Sequence, residues 1–458
     1  MHSRSLVIGV ALASWLPCAT RLRADDWPQW MGPRRDGVWR EADVVEAIPA
    51  GGLPLRWRIT VKAGYAGPAV ANGRVYLMDY DRREGTLAND PGGRSTLAGN
   101  ERVLCIDAAT GEIVWKHEYD CPYSISYAAG PRCTPTVADG RVYTLGAEGH
   151  LTCLDATTGA VTWKKDLRAD YGAPTPIWGF CGHPLVEGDL LVCLVGGPGS
   201  VAVAFDRHSG REVWRAITAS ESGYCPPTMI ESGGQRQLVI WDADKLNALD
   251  VATGRLFWSQ PLKPSYGMSI MAPQVADTSL GRILFASGIG QVGALYRLAE
   301  RGPGAEILWR GKPKEAMYCA NSTPYVAGDT LYGCDCETGY LTAADVTTGR
   351  RLWETGAATM GDRRGRHGTA FLVRHEPARD TDRGEAGPPA RTWIFAETGD
   401  LIVARLTPEK YEEFGRMRLL EPTNECFGRE VVWSHPAFAG RSVFARNDVE
   451  LVCVSVEK

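Results

Sequence analysis

The chain has 458 residues, of which 44% are hydrophobic and 23% charged, with 52 Gly, 28 Pro and 15 Trp. Charged and apolar fractions near globular averages exclude a wholly disordered chain, and the length calls for several domains or one modular, closed architecture. A net charge of −4 gives no electrostatic footing for nucleic acid, and the abundance of Gly, Trp and turn residues points to an all-β fold.

Residues Met1 to Ala24 read as a signal peptide. Arg4 supplies the positive start, Leu6 to Leu16 the apolar run, and Leu22-Arg23-Ala24 the cleavage point before Asp25-Asp26. The apolar run has 11 residues, short of the roughly 20 a spanning helix needs, and no later stretch approaches that length. Pro17 before Cys18 argues against a lipid anchor. The expected product is exported, periplasmic or secreted, without a transmembrane segment.

A pattern of eleven residues then recurs down the chain. It reads CIDAATGEIVW to Trp115, CLDATTGAVTW to Trp163, AFDRHSGREVW to Trp214, ALDVATGRLFW to Trp258 and AADVTTGRRLW to Trp353, with a degenerate GPGAEILW to Trp309. Successive Trp lie between 44 and 51 residues apart, the length of a four-stranded propeller blade. Upstream of each, segments such as Pro135 to Tyr143, Pro68 to Tyr76 and Pro324 to Tyr332 alternate apolar and polar residues around Asp-Gly, Asn-Gly or Gly-Asp, the signature of a hairpin. In the D-x-x-[TS]-G turn, Asp bonds the backbone and Gly takes a left-handed conformation. Asp107, Asp155, Asp206, Asp250 and Asp345 are therefore turn residues, not a ring of catalytic carboxylates.

The ends complete each other. Leu53 to Val61 carries Trp57 without three strands before it, while Pro436 to Val456 supplies three strands without a closing Trp. The expected fold is all-β: a single eight-bladed propeller of four-stranded antiparallel blades, closed by N- and C-terminal strands pairing in one blade. Seven blades is the alternative, because Phe371 to Leu420 lacks the repeated Trp. The domains are 1–24 signal peptide, 25–52 N-terminal extended segment and 53–458 propeller. A ring that closes on itself is expected to be a monomer.

Twelve cysteines follow Cys18. Cys105, Cys153 and Cys453 occupy a strand position filled elsewhere by Ala204, Ala248 and Ala343, which marks a small buried slot. Cys334-Asp335-Cys336 has poor metal spacing and no C-x-x-C occurs, so no metal site is assigned. A Cys121–Cys133 disulfide stays open.

The A-x-D-x-x-T-G-x-x-x-W repeat resembles the tryptophan-docking motif of the quinoprotein (pyrroloquinoline quinone, PQQ) dehydrogenase propellers and the repeats of the outer-membrane assembly lipoprotein B (BamB) family. Trp27-Pro28-Gln29-Trp30-Met31-Gly32-Pro33-Arg34-Arg35-Asp36-Gly37 is similar to the opening of exported PQQ-like repeat proteins. The resemblance covers roughly residues 27–456. It implies that Trp57, Trp115, Trp163, Trp214, Trp258, Trp309 and Trp353 are structural docking residues that pack on the next blade's Gly-bearing turn and donate to a backbone carbonyl.

In a propeller the connections between blades share one face with those between second and third strands. They bring Tyr65, Tyr127, Trp178, Cys181, His183, Tyr224, Cys225, Tyr266, Tyr318, Cys319, Asn321 and His367 to one end, with the insertion Asp79 to Arg102 above them. This face is the candidate site for a ligand or partner. Cys133 also falls there, while Cys426 and His435 precede the eighth blade.

The resemblance implies one of two roles. The favoured expectation is an exported, non-catalytic binding or assembly scaffold with an unknown protein or small-molecule ligand. The alternative is a quinoprotein-like oxidoreductase, a PQQ-dependent alcohol or sugar dehydrogenase with calcium. No vicinal Cys-Cys pair occurs, and no residue matches that family's calcium ligands or Asp base. No catalytic residue is assigned and the cofactor is left open.

Overall fold

Local turn chemistry builds the repeating unit. Around Asp139-Gly140 the chain folds into a hairpin, Thr136–Ala138 against Arg141–Leu145, and His150–Asp155 and Val161–Asp166 complete a four-stranded antiparallel sheet. At its D-x-x-T-G turn, Asp155 Oδ1 accepts from the amides of Thr157 (3.0 Å) and Thr158 (2.8 Å) and from the Thr158 hydroxyl (2.9 Å). Gly159 stands at φ 73°. The carboxylate is consumed by the turn, as the sequence pattern implies.

The computed structural model describes residues 25–377 and 390–458; the predicted signal peptide lies outside them. Eight such sheets form an eight-bladed propeller. Their first strands begin at Ala69, Thr136, Leu185, Thr228, Gln274, Tyr325, Ala370 and Ala437. The divergent stretch from Phe371 is a full blade, with strands Ala370–His375, Arg391–Ala396, Asp400–Leu406 and Tyr411–Arg418. The alternative of seven blades is thereby excluded. In the eighth, Leu55–Thr60 pairs antiparallel with Glu450–Ser455, Trp57 opposite Cys453. The two ends of the chain thus share one sheet and the ring has no open seam.

The repeated Trp joins neighbouring blades. Trp115 Nε1 donates to Ala156 O at 3.1 Å, and a Cβ placed on Gly159 would lie 2.6 Å from its ring. The same link runs from Trp57 to Ala108 O, Trp163 to Arg207 O, Trp214 to Val251 O, Trp309 to Val346 O and Trp353 to Thr407 O. Trp258 departs from it: its indole donates to Gln237 Oε1 of its own blade. The fifth blade turns through Ala299 to Gly304, without the Asp and Thr-Gly that present the carbonyl elsewhere.

Residues 25–52 do more than extend from the ring. Trp27 bridges Val70 of the first blade, Pro28 O accepts from Val137 N of the second, and Arg35 donates to the carbonyls of His183 and Pro184 at the entry to the third. Trp30 and Met31 pack on Ala272 before the fifth blade, and Trp39 packs on Phe438 of the eighth. Val38–Trp39 adds a parallel strand to Ala370–His375 of the seventh. A segment that touches the inner edges of six blades lies on the propeller axis. The chain makes its tight turn at Gly32 (φ 83°), where any Cβ would press on Trp27 at 2.9 Å.

Candidate functional site

Above this axial segment lies a cavity of about 580 Å³, a size suited to a small-molecule ligand. Its wall comes from the inter-blade connections, and Trp30 reaches it from the axis. Of the twelve candidate residues, nine line it: Tyr65, Tyr127, Trp178, Cys181, His183, Tyr224, Tyr266, Asn321 and His367. Three of these, Tyr127 (φ 48°), Tyr266 (φ 60°) and His367 (φ 60°), hold left-handed backbone conformations, uncommon outside Gly and costly unless the surroundings impose them.

The other three sit behind the wall and do not face the cavity. Cys225 Sγ meets Met271 O at 3.3 Å, Tyr318 OH donates to Lys312 O at 2.6 Å, and Cys319 N donates to Ser287 Oγ at 3.0 Å. All three are core residues. Cys133 is buried as well, against Phe180 O at 3.7 Å. Cys121 and Cys133 are both free thiols, so the disulfide left open by the sequence is not formed.

Several wall residues were not singled out by sequence. Arg132 donates to the carbonyls of Gly130, Ser126 and Tyr127 and lies over the Tyr65 ring at 5.2 Å. It has no carboxylate partner among the described residues. Phe427 and Trp433 stand 6.4 Å and 6.1 Å from Tyr127. The insertion also belongs to the wall: Pro91 and Gly92 line the cavity, and Asn89 donates to Asn424 Oδ1 and Glu425 O, both at 2.6 Å. Glu337 arrives on a sixth D-x-x-T-G turn, Asp335 to Gly339. That signal was present in the sequence but sits between second and third strands, where the repeat has no such turn.

The aromatic groups stack in layers. Trp30 is parallel to the His183 imidazole, centroids 4.9 Å apart, with Arg35 5.5 Å from the indole. His435 packs on Phe371 at 4.0 Å, Trp178 meets Tyr224 edge-on at 5.5 Å, and His367 stacks on Phe427 at 4.8 Å. Three buried donors on residues of this wall find no acceptor among the described residues: the Trp30 indole N–H and the hydroxyls of Tyr127 and Tyr224.

Burial sets the charge states. Loss of solvation, with Arg35 and His435 nearby, holds His183 well below its usual range. Burial takes His435 down to about 3 and, aided by Arg429 and Arg366, His367 down to about 4. Burial pushes the Cys181 thiol up to about 11 and raises the phenols of Tyr127 and Tyr224. These imidazoles are neutral and the thiol protonated at neutral pH. Burial lowers Arg35 to about 10, which leaves it cationic with only neutral acceptors: Gln29 Oε1, His183 O and Pro184 O. Two arginines, Arg132 and Arg366, and one carboxylate, Glu337, line the cavity, so its wall carries more positive than negative charge.

A family described as outer membrane protein assembly factor BamB matches residues 99–355. Among solved structures, the quinohemoprotein alcohol dehydrogenase of Comamonas testosteroni is 13% identical, covering 96% of this chain and 82% of its own, with a TM-score of 0.58. The quinohemoprotein alcohol dehydrogenase ADHIIG of Pseudomonas putida HK5 is 14% identical, covering 94% and 80%, with a TM-score of 0.57. BamB of Moraxella catarrhalis is 14% identical over 88% of this chain and 99% of its own, at a TM-score of 0.39. At such identities the likeness to the two dehydrogenases is of fold alone. No curated protein matches the sequence.

Proposed function

This chain belongs to the outer membrane protein assembly factor BamB family, and from that premise we propose that it is an exported, non-catalytic binding propeller. Its mouth cavity takes a flat, aromatic-faced molecule bearing anionic or carbonyl acceptors. The observation that carries this reading is that Trp30, Tyr127 and Tyr224, whose buried Nε1 and hydroxyls find no acceptor among the described residues, line one cavity with Arg132, which has no carboxylate partner there. A buried donor left unmatched costs about 1–3 kcal/mol, so a ligand that supplies acceptors recovers that loss. Stacked rings around it favour a planar body. The neutral imidazoles and protonated thiol offer no base poised near pH 7, which supports binding over catalysis. Residues Met1 to Ala24 support export, and among the described residues no helix is long and apolar enough to cross a membrane.

The fold likeness to two quinohemoprotein alcohol dehydrogenases supports a second reading, a quinoprotein-like oxidoreductase. The residues present do not fit calcium-bound PQQ. Calcium takes six to eight oxygen ligands, whereas the cavity wall offers one carboxylate, Glu337, with Arg366 3.9 Å away. Adjacent cysteines are absent from the sequence. PQQ without calcium remains a useful probe, because it is a flat, aromatic polyacid of the proposed ligand class.

Calorimetric titration with PQQ, with and without Ca²⁺, tests both readings. We expect binding at one site without any need for calcium, and no dye-linked oxidation of alcohols or sugars. Calcium-dependent binding accompanied by such oxidation would establish the second reading. Absence of binding to PQQ and to simpler flat aromatic carboxylates would remove the proposed ligand class.

A further inference from the structure

Outside the mouth cavity, one cluster among the described residues gathers three different metal-ligating side chains: Glu101, Cys121 and His150, with one donor atom of each within 4.8 Å of the others. Glu101 lies on the first blade's third strand, Cys121 just after its fourth strand, and His150 opens the second blade's third strand. The three approach from two blades at the ends nearest the connection face. Cys121 Sγ is 3.6 Å from His150 Nδ1.

Glu101 is fully buried and pairs with no Lys or Arg among the described residues. Its Oε1 accepts from Tyr123 OH at 2.6 Å and Ala147 N at 2.8 Å, and its Oε2 from Tyr119 OH. A buried carboxylate facing only neutral donors carries an uncompensated charge. A cation between the three would offset the Glu101 charge and hold sulfur as thiolate. The bare backbone of Gly146 makes room here, since a Cβ at that position would collide with Glu101 Oε2.

We propose that Glu101, Cys121 and His150 bind one divalent ion of the zinc type and so fasten the first blade to the second. Mixed sulfur, nitrogen and oxygen donors are those of zinc sites rather than of calcium or magnesium sites. Three protein ligands leave one position open. Tyr123 OH and the Ala147 amide both donate to Glu101 Oε1 and so fix the orientation of the carboxylate. His150 is only partly buried and gives the ion a way in.

The test starts from the purified chain stripped with chelator and titrated with Co²⁺, then Zn²⁺. We expect one Co²⁺ per chain, a thiolate-to-cobalt charge-transfer band that Zn²⁺ bleaches at one equivalent, and a melting temperature raised by Zn²⁺. Cys121→Ala and His150→Gln should abolish the band and the zinc-dependent stabilisation, while Cys181→Ser keeps both. Tyr123→Phe should weaken Zn²⁺ binding about 10- to 100-fold. His150→Gln alters a partly buried ring and keeps the comparison valid if Cys121→Ala fails to fold. Absence of the band, or a band unchanged in His150→Gln, would overturn the proposal.

Discussion

Tyr127 and Tyr224 each bring a phenol into the cavity wall without an acceptor, so each should be felt by a bound acid and not by the fold. Tyr127→Phe and Tyr224→Phe are expected to weaken PQQ binding about threefold to tenfold apiece, the worth of one hydrogen bond, with melting temperature unchanged; calorimetry and thermal melts check this. The buried imidazoles make a second prediction. His435 at about 3 and His367 at about 4 lie below the value of 6.5 from which they are shifted. Below about pH 6.5 the unfolded chain takes up protons that the folded chain refuses. Stability should therefore fall as pH drops from about 6.5 to 4, by up to about 1.4 kcal/mol per pH unit for each group. Chemical denaturation across that range should show the slope, and His435→Phe should reduce it. Tyr, Trp and His in the connections were legible because turn formation does not require them. Trp30 and Arg132 were not: nothing local says that a segment before the first blade turns into the axis, or that an Arg beside Pro131 ends without a carboxylate.

At the scale of the blade, the repeat was read almost completely, because Asp, Gly and Trp act on neighbours within a few residues or one blade away. The exception has the same cause. Trp258 has no D-x-x-T-G turn to meet in the fifth blade, and its indole stays with Gln237. Trp163, 9% exposed, rests on Gly210 and donates to Arg207 O. Trp163→Ala is expected to destabilise by about 3–5 kcal/mol and Trp258→Ala by clearly less, since it closes no blade boundary by that link. Denaturant midpoints of the two variants make the comparison. The Glu101, Cys121 and His150 cluster shows the limit of reading spacing: its members are 20 and 29 residues apart and meet only because adjacent blades are set side by side.

At the scale of the molecule, closure was legible from two incomplete ends. Leu55–Thr60 pairs along Glu450–Ser455, so the amides in that pairing should exchange as slowly as those of the outer strand of any other blade; fast exchange there, as in a fraying terminus, would contradict a closed ring. The role of residues 25–52 was not legible, since an extended segment lacks a periodicity that tells where it goes. With that segment in the axis, the cavity opens on the connection face. The first and second strands of the seventh blade end at His375 and Arg391, which pair at the other end of the blade; residues 378–389 between them lie outside the described ones. The most direct test of that assignment is the dissociation constant of PQQ for three proteins: the unaltered chain, the Tyr127→Phe/Tyr224→Phe double variant, and a deletion of 378–389. Affinity should be about 10- to 100-fold weaker in the double variant, two hydrogen bonds lost, and unchanged in the deletion. Binding that survives the double variant and fails on the deletion would place the functional face at the opposite end of the propeller.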